Sequence, residues 1–324
     1  MNLETKEYDV VIIGGGPAGL AAGLYAARGN IKTIILEKLI PGGQLNNTLD
    51  VENYPGMDHV TGPQIAEAME KQTRRFGCEI VNNCNLSEIE LKEGAHKVKT
   101  DKGIFIAKAL IVATGSEYRK LNIPGEKEYS GKGVSYCAVC DGAFFKEKKL
   151  AVVGGGDSAV EEGTFLTKFA SQVTIIHRRD KFRAEKIIQD RAFRNPKINV
   201  IWNTTIPKIK GDGNSVTSVK LKDMVTNQEK DFPCDGVFIY VGLDPNTQLF
   251  KEKLALDEAG RIITNEKMET SYPGVYAAGD VRETPLKQAV TAAADGSLAA
   301  TMSIEYLESL NDKVNPNQKE AVKK

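Results

Sequence analysis

The chain has 324 residues, 41 % hydrophobic and 27 % charged, with 43 basic and 43 acidic side chains and a formal net charge of zero. That composition excludes a disordered or collagen-like chain, and at ~150 residues per domain the length suggests two domains. The charge balance lacks the basic excess of a phosphate-neutralising nucleic-acid binder or a polybasic membrane anchor, so neither nucleic acid nor membrane is an expected partner.

No segment approaches the ~18 consecutive apolar residues of a membrane span. The N-terminus is mixed in charge and carries no signal-peptide pattern, so the expected location is cytoplasmic, where thiols stay reduced. Residues 8–13 read as a buried strand, followed by the turn Gly14-Gly15-Gly16-Pro17-Ala18-Gly19. Residues 20–28 read as a helix stopped by Gly29-Asn30, and residues 33–36 as a second strand ending at Glu37. This is a βαβ unit, which implies an α/β fold with parallel strands. Residues 109–114 read as a strand ending in Gly115. The βαβ pattern recurs with a strand at 150–153, a turn Gly154-Gly155-Gly156-Asp157-Ser158-Ala159, a helix at 160–169 and a strand at 173–176. A further strand at 237–241 leads into a turn-rich stretch, 242–246. The polar residues from Asp312 onward read as a frayed tail.

Gly14, Gly16 and Gly19 match G-x-G-x-x-G after a strand and at the start of a helix. The first glycine permits the tight turn, the second lets a pyrophosphate approach the backbone, and the third lets helix and strand pack closely. Glu37, at the end of the second strand, is placed to accept from ribose hydroxyls. In the second turn Gly154, Gly156 and Ala159 give the G-x-G-x-x-A variant. Its second strand ends in His177-Arg178-Arg179, with Arg183 nearby and no carboxylate at the ribose position. Arginines bind a 2′-phosphate bidentately, so the second site should prefer NADPH to NADH.

The five cysteines, Cys78, Cys84, Cys137, Cys140 and Cys234, form no disulfide framework. Only Cys137 and Cys140 form a Cys-x-x-Cys. Zinc needs four ligands, and the three histidines are scattered, so no metal is expected. A redox dithiol and a plain pair of turn cysteines both remain open. Asp141 could accept and donate protons beside the pair, or simply cap a helix. Two dinucleotide units with a Cys-x-x-Cys suggest electron flow from NADPH, with a flavin linking hydride to disulfide chemistry.

These motifs together resemble the low-molecular-weight, bacterial-type thioredoxin reductases, class II of the pyridine nucleotide-disulfide oxidoreductases, over nearly the whole length. The resemblance is carried by Gly14–Gly19, Gly42-Gly43-Gln44-Leu45, Val51-Glu52-Asn53-Tyr54-Pro55-Gly56 and Ala113-Thr114-Gly115. It continues through Cys137-Ala138-Val139-Cys140-Asp141-Gly142, the second glycine turn, His177-Arg178-Arg179 and Phe182-Arg183-Ala184. It ends with Gly274-Val275-Tyr276-Ala277-Ala278-Gly279-Asp280 and Lys287-Gln288-Ala289. It implies two Rossmann-like, three-layer ββα dinucleotide-binding domains, with the NADPH domain inserted into a discontinuous FAD domain. The expected boundaries are 1–118 and 247–324 for FAD and 119–246 for NADPH and the cysteine pair.

The resemblance also implies roles. FAD would be held by Gly14, Gly16, Pro17, Ala18, Gly19, Glu37, Gly43, Gln44, Leu45, Asn53, Ala113, Thr114, Gly115, Gly279, Asp280, Lys287, Gln288 and Ala289. NADPH would be held by Gly154, Gly156, Asp157, Ser158, Ala159, His177, Arg178, Arg179 and Arg183. Cys137 would be the outer thiol that attacks a redoxin disulfide, Cys140 would lie against the flavin, and Asp141 would be the acid–base residue. The family is homodimeric, rotates one domain against the other, and takes thioredoxin or a similar redoxin as substrate. Three rivals differ in electron source or class: a hydroperoxide reductase flavoprotein, which carries an extra N-terminal redoxin domain, a ferredoxin-linked reductase, and a non-catalytic nucleotide-binding redox sensor. The arginine trio argues against ferredoxin.

Overall fold

Apolar, β-branched runs form the strands, and each glycine cluster turns a strand directly into a helix. The computed structural model describes residues 4–314 except 49, 50, 52 and 59, with the side chains of 139, 140 and 311–314 also excluded. Glu52 of the expected flavin loop, the Cys140 side chain and the tail from 315 therefore lie outside the described residues. The chain forms two compact units, Met1–Glu117 with Asp244–Lys324, and Tyr118–Leu243. The changeovers fall after 117 and 243, against 118 and 246 in the sequence reading.

In the first unit β1 (Thr5–Ile13), α1 (Pro17–Arg28) and β2 (Thr33–Leu36) build a βαβ element, with Ile13 opposite Leu36. The helix starts at Pro17, whose missing N–H costs nothing at a helix start. At its end Gly29 keeps an ordinary φ of −75°, and Asn30 takes the left-handed turn at φ 59°. Then α2 (Gly62–Arg75) opens with a Thr61–Gln64 capping box, and β3 (Glu79–Val81) continues the parallel sheet beyond β2. An antiparallel meander follows, β4 (Leu86–Glu90), β5 (His96–Thr100) and β6 (Ile104–Val112). The short β7 (Ser116–Tyr118) leads out of the unit.

The second unit begins with β8 (Val134–Ser135) and the four-residue helix α3 (Ala138–Asp141). Its βαβ core is β9 (Lys149–Gly154), α4 (Asp157–Leu166) and β10 (Gln172–Ile176). The helix starts three residues before the expected position and ends at Leu166, short of the expected 169. Next come α5 (Lys186–Arg194), β11 (Ile198–Ile201), and a separate antiparallel sheet of β12 (Thr204–Gly211), β13 (Val216–Asp223) and β14 (Glu229–Pro233). With β15 (Gly236–Tyr240) the parallel sheet has the order β11-β10-β9-β15-β8. One face of it packs on the helices through Val152, Ile175 and Phe238. The other packs through Val153, Ile176 and Ile239 onto Ile209, Val219 and Leu221 of the antiparallel sheet. These are the three layers the sequence implied.

The stretch 242–246, read as turns, contains a strand, β16 (Leu243–Pro245), which pairs with β7. Back in the first unit, β17 (Val275–Ala277) pairs in parallel with Leu110–Val112, while Ile104–Ala107 of the same strand pair with β5. The nine residues of β6 thus join the parallel sheet to the meander. Finally α6 (Ala289–Val314) lies against α1, so close that a Cβ at Gly296 would collide with the Ala18 carbonyl. Asp312–Val314, assigned by sequence to the tail, are its last turn. Among the described residues no helix is long and apolar enough to cross a membrane.

His96 on β5 is fully buried, edge-on to the Tyr272 ring, and neither ring nitrogen has a hydrogen-bond partner. Burial lowers its pKa from 6.5 to about 4. The unfolded chain therefore binds a proton between these values that the folded chain does not, and stability falls as pH drops through that window, by at most about 3 kcal/mol. Thermal unfolding across pH 7 to 4 should show a smaller acid loss for His96→Leu than for the parent. Identical pH dependence would remove His96 as the cause.

Candidate active site

The first glycine turn is seated against the neighbouring strand. Gly14 has φ 103°, and a Cβ there would collide with the carbonyl of Ala113, the residue after β6. A Cβ at Gly19 would collide with the Gly14 carbonyl, which holds α1 tightly to the turn. No side chain caps α1, whose first turn also lacks an acidic residue. Its first-turn N–H groups thus have no side-chain partner, the arrangement in which a helix start attracts anions.

The other residues expected around FAD gather in the same unit. Glu37 is nearly buried, accepting from Gly15 N–H at 2.6 Å and Leu39 N–H at 2.8 Å. Its carboxylate is thereby held under the turn. Gly42 N–H donates to the Gly15 carbonyl at 2.7 Å, which lays Gly43, Gln44 and Leu45 across the turn. The Gln44 amide donates to the Ser116 carbonyl at 3.0 Å, and Leu45 is buried with Val51 and Ile65. Asn53 Nδ2 donates to Gln288 Oε1 at 3.0 Å, joining two expected residues 235 positions apart. Ala289 packs on the Leu45 cluster. Asp280 follows Gly279, which has φ 75°; burial raises its pKa, Lys287 opposes the rise and Asp295 adds to it.

The second turn repeats the first. Gly154 has φ 154°, and a Cβ there would collide with the Tyr240 carbonyl and the Ala159 methyl. Around Gly156 a Cβ would meet nothing within 4 Å, and α4 starts there without a side-chain cap. Arg178, Arg179 and Arg183 are exposed at the end of β10. His177 is placed differently: it is buried, and its ring fills the space beneath Gly155 against Phe182 and Trp202. Burial lowers its pKa. Asp157 accepts from Glu185 N–H at 2.7 Å, and Arg183 N–H donates to the Gly155 carbonyl at 2.7 Å. These two bonds clasp the arginine loop to the turn.

Cys137 is disulfide-bonded, whereas Cys78, Cys84 and Cys234 are buried free thiols. Burial pushes the thiols of Cys78 and Cys234 up to about 12, so both are inert. The Cys137 backbone is held on each side. Its N–H donates to Ser135 Oγ at 3.0 Å, and Ala138 N–H donates to the buried Tyr240 hydroxyl at 2.9 Å. Asp141 stands at the cap position of the 3-10 turn Gly142–Phe145, yet its side chain makes no cap hydrogen bond.

Sequence reasoning missed several partners. Asn246 brackets Thr114, accepting from its hydroxyl at 2.8 Å and donating to its carbonyl at 3.0 Å. Asp295 accepts from Gly279 N–H at 3.1 Å and pairs with Arg282 at 3.0 Å. Glu162 on α4 is pushed up to about 8, first by burial and then by Glu161, while burial and then Glu162 raise the phenols of Tyr118 and Tyr240. All three depend on contacts that no local spacing reveals. Gly15 and Gly155 had a signal: both turns read Gly-Gly-Gly, and each middle glycine lies over the side chain of the residue just after the second strand.

A family model described as pyridine nucleotide-disulphide oxidoreductase matches residues 8–296. The chain is 52 % identical over 312 residues to a thioredoxin reductase of Listeria innocua, covering 96 % of this chain and 98 % of that protein. The crystal structure of Lactococcus lactis thioredoxin reductase matches with a TM-score of 0.91 at 47 % identity, over 93 % of this chain and 99 % of that one. That of T. acidophilum thioredoxin reductase matches with a TM-score of 0.89 at 37 % identity, over 94 % of this chain and 99 % of that one.

Two glycines of the second turn should separate folding from binding. Gly154→Ala meets backbone at a left-handed φ and should destabilise its unit by about 2 kcal/mol or more. Gly156→Ala enters open space at φ −94° and should cost less than about 1 kcal/mol. Its methyl nevertheless stands where a phosphate would approach the backbone, so dinucleotide binding should weaken at least tenfold, an effect of ~1.4 kcal/mol. Thermal unfolding and titration with the dinucleotide would read the two effects. Unchanged binding by Gly156→Ala would move the phosphate site elsewhere.

Proposed function

The chain belongs to the pyridine nucleotide-disulphide oxidoreductase family, and from that premise we propose that it is a thioredoxin reductase. It takes two electrons from NADPH and delivers them, by way of FAD and a cysteine pair, to the disulfide of thioredoxin or a thioredoxin-like redoxin. The observation that carries this reading lies in residues 118–243. There a disulfide-bonded Cys137 enters a short helix in the same compact unit as a glycine turn bordered by three exposed arginines.

FAD fits the first unit. The uncapped start of α1 suits its pyrophosphate, and the carboxylates of Glu37 and Asp280 suit its hydroxyls. Gln44, Asn53 and Gln288 provide amides on the neighbouring loops. NADPH fits the second unit, where α4 starts uncapped and Arg178, Arg179 and Arg183 replace the acid that selects an unphosphorylated ribose. His177 supports this turn from below. FAD, when bound, supplies a two-electron relay between a hydride donor and a disulfide.

The chain's own residues do the exchange chemistry. Cys137 thiolate attacks one sulfur of the redoxin disulfide and forms a mixed disulfide with it. The other redoxin sulfur leaves as a thiolate and takes from Asp141 the proton that the Cys137 thiol gave up. Cys140 then loses its thiol proton and attacks the Cys137 sulfur, the second redoxin sulfur departs as a thiolate and takes that proton, and the Cys137–Cys140 bond is restored. Two electrons have passed to the redoxin, and its two thiols carry two protons. The reading includes a homodimer working in the cytoplasm, which sedimentation and cell fractionation would check.

Purified holoenzyme should oxidise NADPH only when oxidised thioredoxin is present, with NADH a poor substitute. NADPH oxidation that ignores thioredoxin would overturn the substrate assignment. Cys140→Ser should accumulate a mixed disulfide through Cys137, read by non-reducing electrophoresis and mass spectrometry. Replacing Arg178 and Arg179 by alanine should raise KM for NADPH by roughly 10- to 100-fold, with KM for NADH nearly unchanged, since a hydrogen bond to a charged group contributes ~1.5–3 kcal/mol. An equal rise for both nucleotides would remove the 2′-phosphate contact.

A further inference from the structure

Glu126 is 3 % exposed and carries a carboxylate that receives donors from two places in the chain. Leu121 N–H donates to Oε1 at 2.8 Å, while Asn122 and Ile123 N–H donate to Oε2 at 2.5 and 3.3 Å. Asn122 has φ 56°, and this left-handed turn aims successive N–H groups at one anion. From the second place the Tyr136 hydroxyl donates to Oε1 at 2.6 Å. Tyr136 immediately precedes Cys137.

Each residue around Cys137 thus has an anchor outside the short helix. Ser135 Oγ accepts from Cys137 N–H at 3.0 Å and donates to the Cys137 carbonyl at 3.2 Å. Tyr240 holds Ala138 N–H. Tyr136 is held by a buried carboxylate that three backbone N–H groups fix in turn. Such charge-assisted bonds are the shorter and stronger kind.

We propose that Glu126 is a positioning residue for the redox pair: by holding the Tyr136 phenol it fixes the backbone entering Cys137 and so favours closure of the Cys137–Cys140 disulfide. This rests on the reading of that pair as the redox centre. A disulfide forms only over a narrow range of Cα separations and side-chain directions. A backbone already held in that range loses less entropy on closure. Releasing Tyr136 lets the peptide before Cys137 rotate, and the equilibrium moves toward the dithiol.

Two variants break the contact differently. Glu126→Gln keeps the shape but turns one acceptor oxygen into an NH₂ that faces other donors. Tyr136→Phe removes the phenol and leaves the backbone N–H groups satisfied. The holoenzyme is equilibrated in buffers of reduced and oxidised glutathione, and the thiols are counted by alkylation and mass spectrometry. In that exchange one oxidised glutathione takes two electrons and two protons from Cys137 and Cys140; their S–S bond forms and two glutathione thiols are released.

The equilibrium constant for closure should fall on the order of 3- to 10-fold in each variant, the scale of one hydrogen bond. The double variant should be no worse than Glu126→Gln alone, because both act through one bond. Variants that melt earlier but keep the parent constant within about twofold would overturn the proposal and leave Glu126 a brace of the fold. Should Glu126→Gln fail to fold, Tyr136→Phe decides alone. A parent protein whose Cys137 and Cys140 show no dithiol–disulfide equilibrium would instead overturn the redox-pair reading, and the proposal with it.

Discussion

A helix that begins without a side-chain cap leaves backbone N–H groups with no partner, and an anion is the natural way to satisfy them. This chain builds that situation twice, at Gly16 before α1 and at Gly156 before α4. Much else follows from keeping those helix starts open. The chain must leave a buried strand and enter a helix within a few residues. It does so by pressing the first glycine onto a carbonyl of the adjacent strand's end, Ala113 in one unit and Tyr240 in the other. The sheet order is what puts those carbonyls there, since β6 lies beside β1 and β15 beside β9.

The two frames are alike in backbone and opposite in charge. In both, the side chain of the residue just after the second strand fills the space under the middle glycine. In the first unit that side chain is Glu37, held by Gly15 and Leu39 N–H groups. In the second it is His177, an imidazole whose pKa burial lowers and which keeps company with Phe182 and Trp202. A carboxylate repels a 2′-phosphate, whereas an imidazole followed by exposed arginines does not.

Much of this was legible because it is local. Strand, glycine turn, helix and strand lie within about thirty residues, and periodicity and turn chemistry report on such spans. Pairs from distant segments left no trace in spacing. Asn53 with Gln288, Asn246 with Thr114 and Glu126 with Tyr136 meet only because the fold brings them together. The Gly29-Asn30 stop, being local, was legible: α1 ends at Arg28, Gly29 caps it and Asn30 adopts the left-handed conformation. Local signals misled elsewhere. The stretch 242–246 looked like turns because Asp, Pro and Asn crowd it, yet pairing with β7 makes a strand of Leu243–Pro245. The long-range hydrogen bond of a sheet outweighs a local preference that amounts to a few tenths of a kcal/mol, about the scale of strand propensity.

Asp141 is of a residue type that can fill two roles beside a helix, and only one of them leaves a hydrogen bond to look for. A cap and a proton carrier both call for a short carboxylate beside a helix, so residue identity cannot choose between them. The cap role requires the carboxylate to accept from the N–H groups that follow, and the Asp141 side chain makes no such bond. Its backbone instead closes the helix onto Cys137, with the Asp141 N–H donating to the Cys137 carbonyl at 3.2 Å. The other nearby acid, Glu162, is pushed up to about 8 by burial and so keeps its proton near neutral pH. Both side chains are partly exposed, Glu162 near the Tyr118 and Tyr240 phenols and Asp141 at the end of the helix that follows Cys137.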